Sequence, residues 1–274
     1  MSKTRHYVSF IDDQKLLAAI AKLYQAYEKA FASKSLKELN KNIIDPFKFQ
    51  FDTAFIHEGK AEKTFNNEVF RQSDKSISNA IGLFHQQLLG SIDGFAESPS
   101  LPCDVKNDAD TIFAEVKNKH NTMNVRSAAG VYDELASLAK SYPKAMCYLV
   151  EIVAKKSLDE IWSVTINQTE QRHKRIHVIS ADRFYALATG RENALHELVE
   201  ALPQAISDFL STKKADNSKK GQSPAYEEIM KKAGNGDVVN QMYELAFPDY
   251  AGFKPKANGA GGKAALADTP ARLI

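Results

Sequence analysis

Apolar side chains recur at helical spacing in several long segments of the chain. The clearest case is 12–31, where Leu16, Ile20 and Leu23 fall on one face of a helix. Other segments show the same spacing and are bounded by residues that start or stop helices. The pattern predicts helices at 12–31, 35–42, 76–92, 128–141, 193–210, 226–232 and 238–245.

Other segments have the apolar content of strands. Residues 145–154, with the sequence AMCYLVEIVA, form a continuous apolar run that is typical of a central strand buried on both faces. Residues 160–167 and 175–180 are further candidate strands. The stretch 104–119 indicates a hairpin that leads into a strand.

The order of these elements predicts the fold class. Phe47, Phe49 and Phe51 alternate with polar residues, which indicates a short strand or an aromatic plug between the first helices. Helices come first, then a hairpin, a helix, further strands and again helices. This order predicts an α/β fold with a mixed central β-sheet flanked by helices.

Composition sets the broad class of protein. The 274 residues are enough for a domain with a sizeable core, and no apolar run is long enough to span a membrane. The first residues, MSKTRHYVSF, lack the apolar core of a secretory signal, so we expect a cytoplasmic protein. We predict a single domain over 1–252 and a flexible tail over 253–274. Cys103 and Cys147 lie in apolar surroundings, which favours buried free thiols over a disulfide.

Positive charge is concentrated locally in this chain. The formal net charge is only +2, so the composition as a whole does not indicate a nucleic-acid-binding protein. Basic residues nevertheless cluster at 117–126, 172–175 and 213–220. Phosphate binding needs local positive potential and not a high global charge. Each cluster taken alone is more typical of a solvated loop or helix end.

The segment 104–124, DVKNDADTIFAEVKNKHNTMN, carries the candidate chemistry. Side chains on a strand alternate between faces, so Glu115 and Lys117 share one face, with Asp104 a short hairpin away. Two carboxylates can hold Mg2+, which prefers oxygen ligands. A nearby lysine can orient a water or neutralise charge on a phosphate. This pattern indicates metal-assisted cleavage of a phosphodiester, although the spacing alone also fits a solvated strand face.

The same residues resemble a known enzyme family. Asp104 followed by Glu115-Val116-Lys117 resembles the active-site signature of the PD-(D/E)xK nucleases. The continuation NKHNTMN at 118–124 resembles a family of type II restriction endonucleases that recognise GGNCC. In one departure from the signature, Cys103 precedes Asp104 and the proline lies one place earlier. Further matches lie at 79–86, 179–185 and 189–190, and the resemblance spans residues 40–212.

The resemblance implies roles for the residues of the signature. Asp104 and Glu115 would hold Mg2+ together with the main-chain carbonyl of Val116. Lys117 would orient or polarise the attacking water. Gln86, on the preceding helix, is the candidate for a further active-site residue near the metal.

Several rival residues stay open beside these. Glu68 is the second choice to Gln86, and a glutamine on a helix surface fits the position of Gln86 equally well. Asp108 and Asp110 are rival metal ligands, although aspartates at such positions are more typical of a turn. His85 has no nucleophile spaced to match it, so we expect packing or DNA contact there.

The implied function is a Mg2+-dependent type II restriction endonuclease that cuts double-stranded DNA at GGNCC. It would leave 5′-phosphate ends with short 5′ overhangs. A two-fold symmetric sequence is most simply read by a homodimer, and the amphipathic helices at either end of the chain could supply its surface. A repair or structure-specific nuclease with the same core, or a non-catalytic DNA-binding protein, are the alternatives. The candidate DNA contacts are Lys119, His120, Asn121, Thr122, Asn124, Arg126, Arg172, Lys174, Arg175, Arg183 and Arg191.

Overall fold

A computed structural model describes residues 6–32, 35–213, 224–233, 241 and 245. These residues contain a mixed six-stranded β-sheet with helices packed on both faces. The predicted class, an α/β fold with a mixed central sheet flanked by helices, is confirmed.

Helices and strands follow one another along the described residues. The helices are α1 (Asp13–Phe31), α2 (Leu36–Leu39), α3 (Pro46–Phe55), α4 (Ala61–Leu89), α5 (Val125–Ser141), α6 (Ala181–Thr189), α7 (Ala194–Ser211) and α8 (Pro224–Ala233). The strands are β1 (Phe95–Glu97), β2 (Val105–Asn107), β3 (Ile112–Lys119), β4 (Met146–Val153), β5 (Asp159–Ile166) and β6 (Thr169–Ser180).

The sheet has the strand order β1-β2-β3-β4-β6-β5. Strands β1, β2 and β3 pair antiparallel, whereas β3, β4 and β6 run parallel and β5 returns antiparallel at the edge. The apolar run at 145–154 forms β4 in the middle of the sheet, as predicted. The parallel strands bring the carboxyl ends of β3 and β4 to the same edge of the sheet.

A hydrophobic core lies on each face of the sheet. Ala114 and Val116 of β3 pack into a cluster with residues of α1, α4, α6 and α7. Phe113, one position along β3, packs into the other cluster, which includes Leu135 of α5. The odd and even positions of β3 therefore face different layers of helices, as the alternation predicts.

The interpretation of Phe47, Phe49 and Phe51 as a strand or plug is wrong, because all three lie in α3. The side chain of Asp45 caps this helix by accepting hydrogen bonds from the main-chain N–H groups of Phe47 and Lys48. Pro46 occupies the first turn, where its fixed φ favours a helix. These signals at the start of the helix outweigh an alternation over only five residues.

Other element bounds also differ from the sequence-based prediction. Helix α4 begins at Ala61 instead of residue 76, and β1 was not predicted. Strand β6 begins at Thr169 instead of residue 175, because it pairs with β5 through a tight turn. Asn167 and Gln168 form that turn with positive φ values of 50° and 64°. The charged run that follows has a low apolar content, so its sequence favours a solvated loop over a strand.

The described residues group into two compact units. The first, which we call the sheet unit, contains 6–32 and 73–213. The second, which we call the helical unit, contains 35–72, 224–233, 241 and 245. One domain over 1–252 stays a prediction. The predicted tail at 253–274 and most of the predicted helix at 238–245 lie outside the described residues. Within the described ranges, no helix is both long and apolar enough to cross a membrane.

Candidate active site

The hairpin of β2 and β3 brings Asp104 beside the strand that carries the rest of the signature. The N–H of Asp104 donates to the carbonyl of Ala114 at 3.0 Å. The N–H of Val116 donates to Oδ2 of the Asp104 side chain at 2.8 Å. Asp104 is therefore fixed through both its main chain and its carboxylate, although it is distant from β3 in sequence.

The carbonyl of Val116 lies on the same edge of β3 as this carboxylate. The pairing of β2 with β3 ends at Val105 and Ala114, so Val116 is beyond the last paired residue. In a strand, the N–H and C=O of one residue point to the same side. Because the Val116 N–H points to Asp104, its carbonyl also faces that side.

Glu115 and Lys117 project together from the other face of β3. Lys117 Nζ donates to Glu115 Oε1 at 2.6 Å. The side chain of Lys117 is 27% exposed and that of Glu115 is 14% exposed. Their neighbours Ala114 and Val116 are buried in the core on the opposite face. Burial of Ala114 and Val116 fixes the backbone of β3, and this positions the partly buried ion pair on the opposite face of the strand.

The electrostatics of the carboxylates fit a bound cation. The pKa of the Asp104 carboxyl is raised to about 6, chiefly by burial. The hydrogen bond from the Val116 N–H and the charge of Lys117 act to lower this pKa, whereas the nearby Glu115 carboxylate acts to raise it. Two carboxylates this close repel each other, and a divalent cation between them would relieve that repulsion. Among the described residues, no group of three or more His, Cys, Asp or Glu side chains is arranged to hold a metal ion. A cation here would rely on two carboxylates, a carbonyl, and oxygens from water or phosphate.

The rival aspartates belong to the turn between β2 and β3. Asp110 has a positive φ of 53° and its carboxylate is paired with Lys106. The N–H of Asp108 donates to the carbonyl of Gly94 at 2.8 Å. These contacts give both residues a role in the hairpin and support Asp104 as the ligand.

Helix α4 carries the candidates for a further active-site residue, and they lie at different places along that helix. Gln86 and His85 are half-buried in the sheet unit, and burial lowers the pKa of the His85 imidazole. Glu68 is buried in the helical unit, where Arg71 donates to both of its carboxylate oxygens. The role of Gln86 near the metal stays a prediction.

Sequence reasoning missed one carboxylate beside the signature. Glu151 of β4 pairs in register with Lys117 of β3, so the two residues share a face of the sheet. Burial raises the pKa of Glu151, while His120 and Lys155 lower it. A single acidic residue inside the apolar run MCYLVEIV is the signal that could have revealed it.

The loop after β3 is built largely by its own polar side chains. The main-chain N–H and the Nδ1 atom of His120 both lie 3.2 Å from the carbonyl of Val153. Thr122 donates to the carbonyl of Lys119, and the Asn124 side chain caps α5 by accepting from the N–H of Ser127. The loop is thereby fixed at the edge of the sheet where β3 and β4 end. The candidate DNA contacts that are exposed at this edge are Lys119, Asn121, Thr122, Asn124 and Arg126.

The candidate arginines and Lys174 are not brought together in one place. Arg175 donates to the main-chain carbonyls of Ala139, Tyr142 and Ala145, which lie at and beyond the end of α5. Because β6 runs parallel to β4, Arg172 near its start lies towards the opposite end of the sheet from Lys117. The remaining candidates are Lys174, which is exposed on β6, Arg183, which is paired with Glu192, and Arg191, which is paired with Glu197.

Comparisons with known proteins identify relatives over most of the chain. The family model described as Eco47II restriction endonuclease matches residues 8–211. The chain is 35% identical over 257 residues to the type II restriction enzyme Sau96I of Staphylococcus aureus. That alignment covers 89% of this chain and 97% of Sau96I. The chain is also 34% identical over 212 residues to the type II restriction enzyme Eco47II of Escherichia coli. That alignment covers 74% of this chain and 84% of Eco47II.

These matches define the class of protein as a type II restriction enzyme, which is a site-specific deoxyribonuclease acting on double-stranded DNA. The chain belongs to the Eco47II restriction endonuclease family. Enzymes of this class generally need a divalent metal ion. The prediction of a restriction endonuclease is therefore confirmed.

Proposed function

We propose that the chain is a Mg2+-dependent endonuclease that acts as a homodimer and cuts both strands of DNA at GGNCC. The observation that carries this proposal is the joint placement of Asp104, the Val116 carbonyl, Glu115 and Lys117 around the end of the β2–β3 pairing. This set combines oxygen ligands for a hard cation with a cationic side chain for the phosphate or the attacking water. The enzyme would act in the cytoplasm, where its DNA substrate is found.

The side chains of the site position the reacting groups. Asp104 and Glu115, with the carbonyl of Val116, would hold Mg2+, which supplies positive charge next to the scissile phosphate. The ion pair with Glu115 fixes the ammonium of Lys117, which orients the attacking water. In-line attack breaks the bond to the 3′ oxygen and leaves a 5′ phosphate. The contribution of the protein is positioning and charge stabilisation.

The specificity for GGNCC is supported by the resemblance of 118–124 to the family with that recognition sequence. This stretch includes the end of β3 and the loop that is fixed to Val153 of β4. Its exposed side chains therefore lie at the end of β3 that follows Glu115 and Lys117, where we expect them to contact DNA beside the cleaved bond. Short 5′ overhangs are proposed on the same basis. A two-fold symmetric sequence cut on both strands calls for two copies of the chain, each with one active site.

Digestion of a plasmid of known sequence tests this proposal. We expect discrete fragments with Mg2+, no cutting with EDTA, and fragment ends that map to GGNCC. Lys117→Ala should lose cleavage, whereas Lys60→Ala, which removes an exposed lysine of the helical unit, should cut at the normal rate. Discrete fragments that end at another sequence would reject GGNCC while keeping the metal-dependent mechanism. Cleavage only at DNA ends or junctions would support a repair nuclease.

A further inference from the structure

Glu151 of β4 lies beside Lys117 of β3, on the face of the sheet that carries the candidate active site. The two residues are register partners on parallel strands, and neighbouring strands are about 4.8 Å apart. Phe113, four residues before Lys117, and Leu149, two residues before Glu151, are buried in the same hydrophobic cluster, so these alternate positions share one face of the sheet. The Glu151 carboxylate is therefore within reach of the Lys117 ammonium.

The Glu151 carboxylate has no close partner among the described residues. Its side chain is half-buried, and no group in this part of the chain donates a hydrogen bond to it. Burial raises its pKa, and the opposing charges of His120 and Lys155 act without a hydrogen bond. The hydroxyl of Ser180, its register partner on β6, donates instead to Asp182. Because removing a carboxylate from water costs free energy, a partly buried one is normally matched by a cation.

Glu115 has two partners in the proposed function, and they compete. Its Oε1 atom accepts a hydrogen bond from Lys117 Nζ at 2.6 Å. The same carboxylate is proposed as a ligand of Mg2+. Two positive groups on one partly buried carboxylate repel each other, because charges in such a site are only weakly screened. The Lys117 ammonium is therefore displaced from Glu115 when that carboxylate holds a metal ion, and it must pair elsewhere.

We propose that Glu151 is a positioning residue that receives the Lys117 ammonium when Glu115 holds the metal. This inference rests on the proposed function, which assigns Glu115 to the metal. Because Glu115 is in register with Leu149, Glu151 lies two residues, or about 7 Å, nearer the carboxyl ends of the strands. Rotation of the Lys117 side chain thus carries its ammonium away from the metal and towards the loop that follows β3, while a charge-assisted hydrogen bond keeps it ordered.

Two rival roles for Glu151 predict different effects on metal binding. A carboxylate that bound the metal itself would be missed with or without the Lys117 ammonium. A carboxylate that only supported the fold would change stability and leave the metal affinity of the folded protein unchanged. A carboxylate that receives the Lys117 ammonium matters to the metal only while that ammonium is present. A double-mutant cycle between Glu151 and Lys117 separates these three roles.

Calorimetric titration of the full chain with Mn2+, without DNA, provides the cycle. The proteins are the wild type, Glu151→Gln, Lys117→Met and the double variant, and thermal unfolding shows that each is folded. We expect Glu151→Gln to weaken Mn2+ binding at least about tenfold in the presence of Lys117, and no more than about threefold in Lys117→Met. Glu170→Gln removes the same charge from an exposed position near the start of β6 and should bind Mn2+ as the wild type does.

Glu151→Asp is the conservative variant, because it keeps the carboxylate on a shorter side chain. It should bind Mn2+ more tightly than Glu151→Gln, and Glu151→Ala takes the place of Glu151→Gln in the cycle if the latter does not fold. With a specific duplex, Glu151→Gln should bind DNA as the wild type does and cut at least about tenfold more slowly, because Lys117 is no longer oriented. Cleavage by Glu151→Asp should be intermediate.

The outcomes of the cycle separate this inference from the proposed function. An equal loss of Mn2+ affinity with and without Lys117 would make Glu151 a metal ligand and overturn the inference. Unchanged affinity in folded Glu151→Gln, or a wild type that binds no Mn2+, would overturn it as well. Because the titration contains no DNA, a wild type that leaves GGNCC uncut would reject the proposed recognition sequence without altering the result of the cycle.

Discussion

The N–H of Val116 donates to Oδ2 of Asp104 at 2.8 Å, which ties a carboxylate from outside the sheet strands to the strand that carries Glu115 and Lys117. The bond occupies the position where the pairing of β2 with β3 has just ended. It therefore uses a main-chain group that would otherwise lack a partner on that edge. The same contact defines the site, because it aligns the carboxylate of Asp104 with the Val116 carbonyl.

Replacement of Asp104 separates its structural role from its chemical role. Asp104→Asn can still accept the hydrogen bond from Val116 but lacks the charge that holds a cation, so we expect a folded protein with cleavage reduced by at least about 100-fold. Asp104→Ala loses both, and we expect it to be less stable than Asp104→Asn by about 1–3 kcal/mol. Thermal unfolding and cleavage rates measure the two effects. Equal stability of the two variants would show that the hydrogen bond contributes nothing.

Lys117 and Glu115 should matter for cleavage and not for binding. In Lys117→Ala and Glu115→Ala, specific DNA binding should persist while the cleavage rate falls by at least about 100-fold, because each removes a charge that acts on the reacting phosphate or its metal. Gel-shift measurements with a specific duplex, alongside single-turnover cleavage, separate the two properties. Cleavage by either variant at the wild-type rate would refute the assignment of the active site.

The raised pKa of Asp104 predicts a pH dependence of metal binding. A protonated carboxyl is a poor metal ligand, so metal affinity should fall as the pH drops through about 6, the pKa of Asp104 in the metal-free protein. Calorimetric titration with Mn2+ or Mg2+ between about pH 5 and pH 8 measures this, because the range brackets the raised pKa of about 6 and stays above the ordinary carboxyl pKa of 3.8. Asp104→Asn is the control and should bind the metal weakly at every pH, with most of this dependence lost. Affinity in the wild type that is constant across the range would argue against Asp104 as a ligand.

Arg175 should act on stability, in contrast to Arg172. Its guanidinium donates to three main-chain carbonyls near the end of α5, so Arg175→Ala should destabilise the protein by about 2 kcal/mol. Arg172→Ala removes an exposed side chain from the same strand and should leave the melting temperature unchanged. Thermal unfolding of the matched pair checks this expectation. If Arg175→Ala were as stable as the wild type, a role for Arg175 in DNA contact would be favoured instead.

The parts of the fold that could be predicted are those with a strong local signal. The run at 145–154 gave β4 because nearly every residue is apolar, and α1 followed from the spacing of residues such as Leu16 and Ile20. Helix α3 was missed because Asp45 and Pro46 outweigh the alternation that follows them. Strand β1 has only three residues, and its pairing with β2 is a tertiary contact that local sequence does not encode.

The candidate site shows the same division. Glu115 and Lys117 could be placed on one face of a strand by counting residues. The bond from Val116 to Asp104 and the register of Glu151 beside Lys117 depend on how separate segments meet in the sheet. Arg175 is the converse case, because a cluster of positive charge in the sequence gives no indication that one of its members is used to satisfy main-chain carbonyls.

Cleavage of a short synthetic duplex with one GGNCC sequence tests the central claim most directly. In the control duplex, each outer G·C pair of the sequence is reversed to C·G and everything else is the same. Each duplex is incubated with Mg2+ and either the wild-type protein or Lys117→Ala. The account predicts that the wild type cuts both strands of the first duplex, leaving 5′ phosphates, and that every other combination stays intact. Equal cutting of both duplexes would contradict the proposed specificity, and cutting by Lys117→Ala at the wild-type rate would contradict the proposed active site.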